Sequence, residues 1–245
     1  MGKTFHYGDW EYKKNIGSHD ITISKYLGSD TEVTVPAQIK GMNVYDFNQF
    51  VFSASPHVAR VIFLEGIQRI LSGVLALSNI QEVVLPSTLQ EIKGAGFNEV
   101  VEQVTVSPDN PLFFDIDGIL FSRENENKHL VYFPAGRTGS TYKIPDGTTH
   151  INWLAFNASK NLEHVIMPDS VVGLDYSVFK DCPKLVSVRL SPNIEELKRN
   201  TFYNCIALSN VRSSRKIRMI DSDAFDECPE FRGINIQTRM SEQER

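Results

Sequence analysis

Met167-Pro-Asp-Ser-Val-Val-Gly-Leu174-Asp-Tyr-Ser-Val178-Phe179-Lys-Asp-Cys182-Pro-Lys-Leu185-Val-Ser-Val188-Arg-Leu190 is a pattern that recurs on either side of itself every 23 residues. Phe156, Phe179, Phe202 and Phe225 keep that interval. So do Leu162, Leu185, Leu208 and Phe231, and so do Ile151, Leu174, Leu197 and Ile220. A fourth column runs through Cys182, Cys205 and Cys228, with Ser159 one interval ahead. Columns that share one period describe one supersecondary unit used repeatedly. A unit this small cannot bury its apolar stripe alone, so neighbouring units must stack on it.

The unit reads as a coil. Leu185, Val188 and Leu190 point inward, while Ser187 and Arg189 alternate outward as a strand requires. Ser191-Pro-Asn193 stops that strand, because proline cannot donate into a ladder. Ile194 and Leu197 place a second apolar pair inside, and Asn200-Thr-Phe-Tyr-Asn-Cys205 closes the coil with Phe202 and Cys205 inward. Each coil is therefore expected to be strand, turn, second extended piece and short helical or 3-10 turn. The period falls in the 20–29-residue range of leucine-rich repeats. The fold class expected is a leucine-rich-repeat solenoid of about eight coils of 22–23 residues over 32–236, with a parallel strand ladder, mostly β and mixed α/β. Two segments break the period. Residues 1–31 suggest a capping hairpin, with Trp10-Glu-Tyr12 and Asp20-Ile-Thr-Ile-Ser24 flanking a turn. Around 107–141 an insertion is expected to project as a hairpin of Leu112–Phe121 and His129–Phe133. The polar tail 237–245 is expected to fray or to be briefly helical.

Composition removes some function classes. Thirty acidic residues against 25 basic ones give a formal charge of −5, opposite to the basic balance of a dedicated nucleic-acid binder. No apolar run reaches the length of a membrane span. Met1-Gly-Lys-Thr-Phe-His6 has no apolar signal region, which leaves either a cytoplasmic protein or one whose secretion signal has been replaced. The three cysteines share one repeat position and read as small buried hydrophobes, with a disulfide or reactive thiol as the alternative. Clustered zinc-ligand spacing is absent from the sequence.

Ile144-Pro-Asp-Gly-Thr-Thr-His-Ile151 followed by Ala155-Phe156, and Met167–Leu174 followed by Val178-Phe179-Lys-Asp-Cys182, resemble the BspA-type leucine-rich repeat. That pattern is Ile-Pro-x-x-Val-x-x-Ile and then Ala-Phe-x-x-Cys. Tyr26–Pro36 with Lys40–Val44 resembles the family's first coil, and Asp117–Phe121 with Leu130–Gly136 its recurrent hairpin insertion. The likeness covers about 20–231. Leu64, Ser107 and Ser191 depart from the proline, Gly96 and Ala224 vary the small residue before phenylalanine, and Ser78 or Val100 stands for cysteine. The resemblance implies a bacterial protein of the cell surface or secreted, adhesion to host proteins as in some members, and neither catalytic residues nor cofactors.

Catalytic signatures such as G-x-S-x-G, H-E-x-x-H and the nucleotide-binding glycine loops are missing. Asp115-Ile-Asp117-Gly118 invites a calcium reading, but Leu120 stands where the calcium loop needs glycine, and a plain turn is the alternative. His150 and His164 are a metal pair only if the fold joins two different columns. Asn157-Ala-Ser159 fits a glycosylation sequon inside a repeat turn.

The candidate site is the outward face of the ladder, the column Ile62, Val84, Thr105, Lys143, Ile166, Arg189 and Arg212, ending at Asn235. Its neighbour runs Arg60, Glu82, Gln103, Thr141, His164, Ser187 and Asn210. Eight rungs at about 4.8 Å would make one wall about 34 Å long. Arg212, Arg215, Lys216 and Arg218 form a basic patch that reads as a solvated edge or as a seat for an anionic partner. The function expected is a non-enzymatic protein-binding or adhesion module. Its partner would be a protein or anionic glycan, such as host extracellular matrix, and the chain itself a monomer. The alternative is a structural spacer that displays other domains.

Overall fold

The computed structural model describes residues 3–71, 73–92, 97 and 99–236; the tail 237–245 and Gly96 lie outside the described residues. The chain forms two compact units, Met1–Leu120 and Phe121–Arg245. It is a solenoid of about nine turns, mostly strand.

The first unit opens with a meander. Thr4–Tyr7, Trp10–Lys14 and Asp20–Tyr26 pair antiparallel, and the last continues parallel onto Met42–Phe47. The expected hairpin thus has a third strand. Trp10, Tyr26 and Phe52 pack ring against ring at 4.9, 6.1 and 5.9 Å. A parallel ladder follows through Glu32–Val35, Arg60–Phe63, Glu82–Leu85 and Gln103–Val106. Val33, Val61, Val83 and Val104 stack inward in register and are all buried. Buried Asn110 ends this unit's periodic part. Its amide donates to Pro86 O and Leu89 O, and its oxygen accepts from the Leu112 and Phe113 N–H groups, so every polar atom is used.

The insertion differs from expectation in two ways. Leu112–Phe121 is not one strand, because Asp117 and Gly118 turn the chain with φ of 51° and 75° between Phe113–Ile116 and Ile119–Glu124. Asn125 and Glu126 repeat the device at φ 49° and 66° before Asn127–Tyr132. Two consecutive left-handed residues make the tight hairpin turn that matches strand twist. Nor does the second arm project. Asn127–Tyr132 pairs parallel with Thr148–Ile151 and so serves as a rung of the second unit.

That unit has a five-rung parallel ladder: Thr141–Lys143, His164–Ile166, Ser187–Arg189, Asn210–Ser213 and Ile234–Ile236. A second side runs from Asn127–Tyr132 through Thr148–Ile151 to Gly173–Leu174, with Glu196–Leu197 paired to Met219–Ile220. The third side is built of turns. The phenylalanine column stacks along it, with Phe133, Phe156, Phe179, Phe202 and Phe225 at successive centroid distances of 5.1, 4.8, 5.2 and 5.1 Å.

The closing turns are not helical, and the described residues contain no helix. Leu154, Ser177 and Asn200 hold φ of 55–58°, and so do Ala158, Asp181, Asn204 and Glu227 at 56–59°. Two left-handed residues per turn break any helical run. They also turn N–H groups along the stacking axis, where Phe156 donates to Val178 O, Phe179 to Thr201 O and Phe202 to Ala224 O. The turns are thus hydrogen-bonded coil to coil, as the strands are. Each cysteine joins this system, its thiol donating to the phenylalanine carbonyl of the preceding coil: Cys182 to Phe156, Cys205 to Phe179 and Cys228 to Phe202, at 2.9–3.0 Å. All three are free thiols.

Candidate binding face

The register of each ladder is the one read from the sequence. Ile62, Val84 and Thr105 are direct partners, and Thr34 precedes them as a rung the column had omitted. Lys143, Ile166, Arg189, Arg212 and Asn235 are likewise partners in the second unit. The hydrogen bonding differs from expectation in one respect: the rungs belong to two separately hydrogen-bonded ladders, four in the first unit and five in the second.

The two ladders differ in charge. In the first unit Arg60 bridges Glu32 at 2.8 Å and Glu82 at 3.3 Å, so the one cation of its rungs is paired with their two carboxylates. In the second unit the outward positions Thr141, Lys143, His164, Ile166, Ser187, Arg189, Asn210, Arg212 and Asn235 carry three full cations and no carboxylate. The neutral positions are tied across rungs, with His164 Nδ1 2.8 Å from Ser187 Oγ and Asn235 Nδ2 3.5 Å from Asn210 Oδ1. Arg212 Nε donates to Asn210 Oδ1 at 3.2 Å, which holds its guanidinium along the sheet. Arg189 is less available than its column implies. It reaches Asp169 at 3.7 Å with a side chain only 18% exposed. Lys143 stands exposed.

The basic patch is dispersed. Arg212 belongs to the ladder, Arg215 and Lys216 lie exposed in the bend after it, and Arg218 pairs with Glu195 at 3.0 Å beside the other sheet. Lys216 also borders an apolar groove of about 330 Å³ at the last coil, lined by Ile217, Ile220, Phe225, Phe231 and Ile236.

The other candidate groups are structural. Asp115 accepts the Val106 N–H at 2.8 Å and Asp117 shapes a turn, which is the plain alternative to calcium binding. Ser159 of the sequon is buried and donates to Phe156 O. His150 and His164 lie in different sheets; His150 instead meets His129, at 4.7 Å between rings. Among the described residues no group of three or more His, Cys, Asp or Glu could hold a metal ion, and no helix is long and apolar enough to cross a membrane. The histidine pair and an exposed row of Trp153, Tyr176 and Arg199 were both missed in the sequence. Their 21- and 23-residue spacings are visible there, but they join chemically unlike residues and so form no column.

The BspA type leucine rich repeat region matches residues 21–107 and 136–244 in six copies. The chain belongs to that family. No curated protein matches the sequence. Among solved structures, this BspA-type chain is similar to the pneumococcal vaccine antigen PcpA, with a TM-score of 0.69 and 16% identity over 96% of this chain and 82% of that one. A leucine rich cell surface protein of Faecalibacterium prausnitzii gives 0.57 and 18% over 100% and 97%. A leucine-rich repeat protein of Eubacterium ventriosum gives 0.59 and 14% over 96% and 85%. At these identities the likeness is one of fold.

Proposed function

We propose that the chain is a non-enzymatic protein-binding module displayed at a bacterial cell surface, and that the second unit's ladder is its recognition face. The observation that carries this reading is the charge contrast. A protein of net charge −5 keeps Lys143, Arg189 and Arg212 on one outward column with no carboxylate among its rungs. Solenoids recognise partners through extended surfaces of this kind, and a cationic sheet steers and selects acidic surfaces. The similar protein of Faecalibacterium prausnitzii is described as a cell surface protein, which supports the location.

The test is a panel of immobilised extracellular-matrix proteins probed with the purified chain. The reading predicts saturable binding to at least one member, weaker at 200 than at 50 mM salt by the screening expected of exposed charges. A blank panel would contradict it and favour the spacer role.

A further inference from the structure

The turn side of the second unit carries a row the strand ladder does not explain. Trp153 and Tyr176 occupy equivalent positions in successive coils and are 39% and 37% exposed. Their rings lie 5.4 Å apart, tilted by 35°. Arg199, at the same position one coil on, places its guanidinium carbon 5.3 Å from the Tyr176 ring centroid. Each of the three is followed by a left-handed residue, Leu154, Ser177 or Asn200, so the same backbone device orients all of them. The row is also braced from below. Asp175 accepts the backbone N–H of Trp153 at 3.2 Å and the Lys198 ammonium at 3.4 Å.

We propose that Trp153, Tyr176 and Arg199 form a glycan-binding row for a carboxylated pyranose, the sugar lying on the two rings and its carboxylate on Arg199. The chemistry follows from what each group leaves unused. One face of a pyranose is C–H and its rim is hydroxyl, which suits exposed aromatic faces bordered by polar groups. Arg199 stacks on Tyr176 through its plane, and stacking leaves the N–H fork free to grip a carboxylate in two-point fashion. Among the described residues it has no acidic partner, whereas Lys198 beside it is neutralised by Asp175. Asp175 and Lys198 supply an acceptor and a donor to sugar hydroxyls. An acidic peptide fits less well. A peptide that docks by strand addition needs free backbone hydrogen-bonding groups, and here the turn N–H groups are spent between coils, Ser177 on Arg199 O and Phe179 on Thr201 O.

Trp153 makes the proposal directly measurable. The chain has two tryptophans, and the other, Trp10, is buried in the N-terminal meander. The intact protein would be titrated with sialyllactose and with a chondroitin disaccharide, which separate sialic from uronic acid as the source of the carboxylate. Lactose and a hexaglutamate peptide are the controls, with tryptophan emission and calorimetry as readouts. The expected result is a saturable emission change with at least one acidic sugar and weaker binding of lactose and hexaglutamate. Arg199→Gln should weaken the acidic sugar about tenfold or more, with unchanged melting temperature. Trp153→Ala should abolish the calorimetric signal, and Lys143→Glu with Arg212→Glu should leave it intact, which keeps this row distinct from the ladder face. The proposal is overturned if neither acidic sugar shifts the emission, if lactose binds equally well, if hexaglutamate binds more tightly, or if Arg199→Gln binds like the natural chain.

Discussion

Phe202 shows what one side chain contributes to a stacked coil. It is fully buried, and its ring lies 5.2 Å from Phe179 and 5.1 Å from Phe225 with interplanar angles of 4° and 13°. Removing it forfeits both stacks and opens a cavity between coils that the flanking backbone ladder cannot close. Phe202→Ala should lower stability by about 3–5 kcal/mol, measured by urea denaturation. A loss within about 0.5 kcal/mol, the size of an ordinary surface change, would contradict the stacking account. The cysteines beside it act differently. The adjoining Cys182 thiol, with burial adding to it, holds the Cys205 thiol far above its ordinary range. Cys205 and then burial do the same for Cys228. These groups stay protonated and donate to carbonyls, which is chemistry a reactive thiolate cannot perform.

At the scale of the element, the strand Thr148–Ile151 shows how packing can tune a titration. His150 lies over Gly173 of the next rung so closely that a Cβ there would come within 2.5 Å of its ring, so the pair needs the glycine for space. On its other side His150 meets His129, whose Nδ1 is 3.1 Å from Glu124. Burial first and His150 second push the His129 imidazole below its usual range, against the pull of Glu124 and Asp175. A base with a depressed folded pKa takes up its proton more readily when unfolded. Its stabilisation is therefore full above about pH 6.5 and is lost as pH falls through the lower folded value. Urea midpoints should fall between about pH 7.5 and pH 5, and His129→Gln should flatten that fall. An identical slope in the variant would remove the histidine pair as its cause.

Sequence reading succeeded where a physical rule acts at every repeat and failed where it acts once. The inward valines, the phenylalanine column and the rung register follow from period-two alternation repeated at 23 residues, so each copy corrects the others. The closing turns were expected to be short helical or 3-10 turns, as Asn200–Cys205 was read. Ser177 and Leu154 adopt left-handed geometry for inter-coil hydrogen bonds, which is a tertiary cause invisible to local propensity. The insertion occurs once, and Leu112–Phe121 was read as one strand-like arm; the turn read at Asp117-Gly118 as the alternative to calcium binding in fact divides it into two strands. Lys143 and Arg212 could be placed on one face from spacing, but the Arg189–Asp169 pair could not, since its residues come from different sides of adjoining coils.

At the scale of the whole molecule, stability and recognition are assigned to different atoms. The interior columns of each unit are apolar and mutually stacked, while Lys143 stands exposed on the second ladder. The exposed rung charge Lys143 should therefore be exchangeable at little cost in stability, within about 0.5 kcal/mol, while altering which surfaces the ladder accepts. The most direct measurement is binding of Lys143→Glu with Arg212→Glu to a matrix protein captured by the natural chain, at 50 and 200 mM salt, alongside its melting temperature. The account predicts that binding falls at least tenfold, that its salt dependence disappears, and that the melting temperature is unchanged. Equal binding by this variant at both salt concentrations would contradict the assignment of the ladder face.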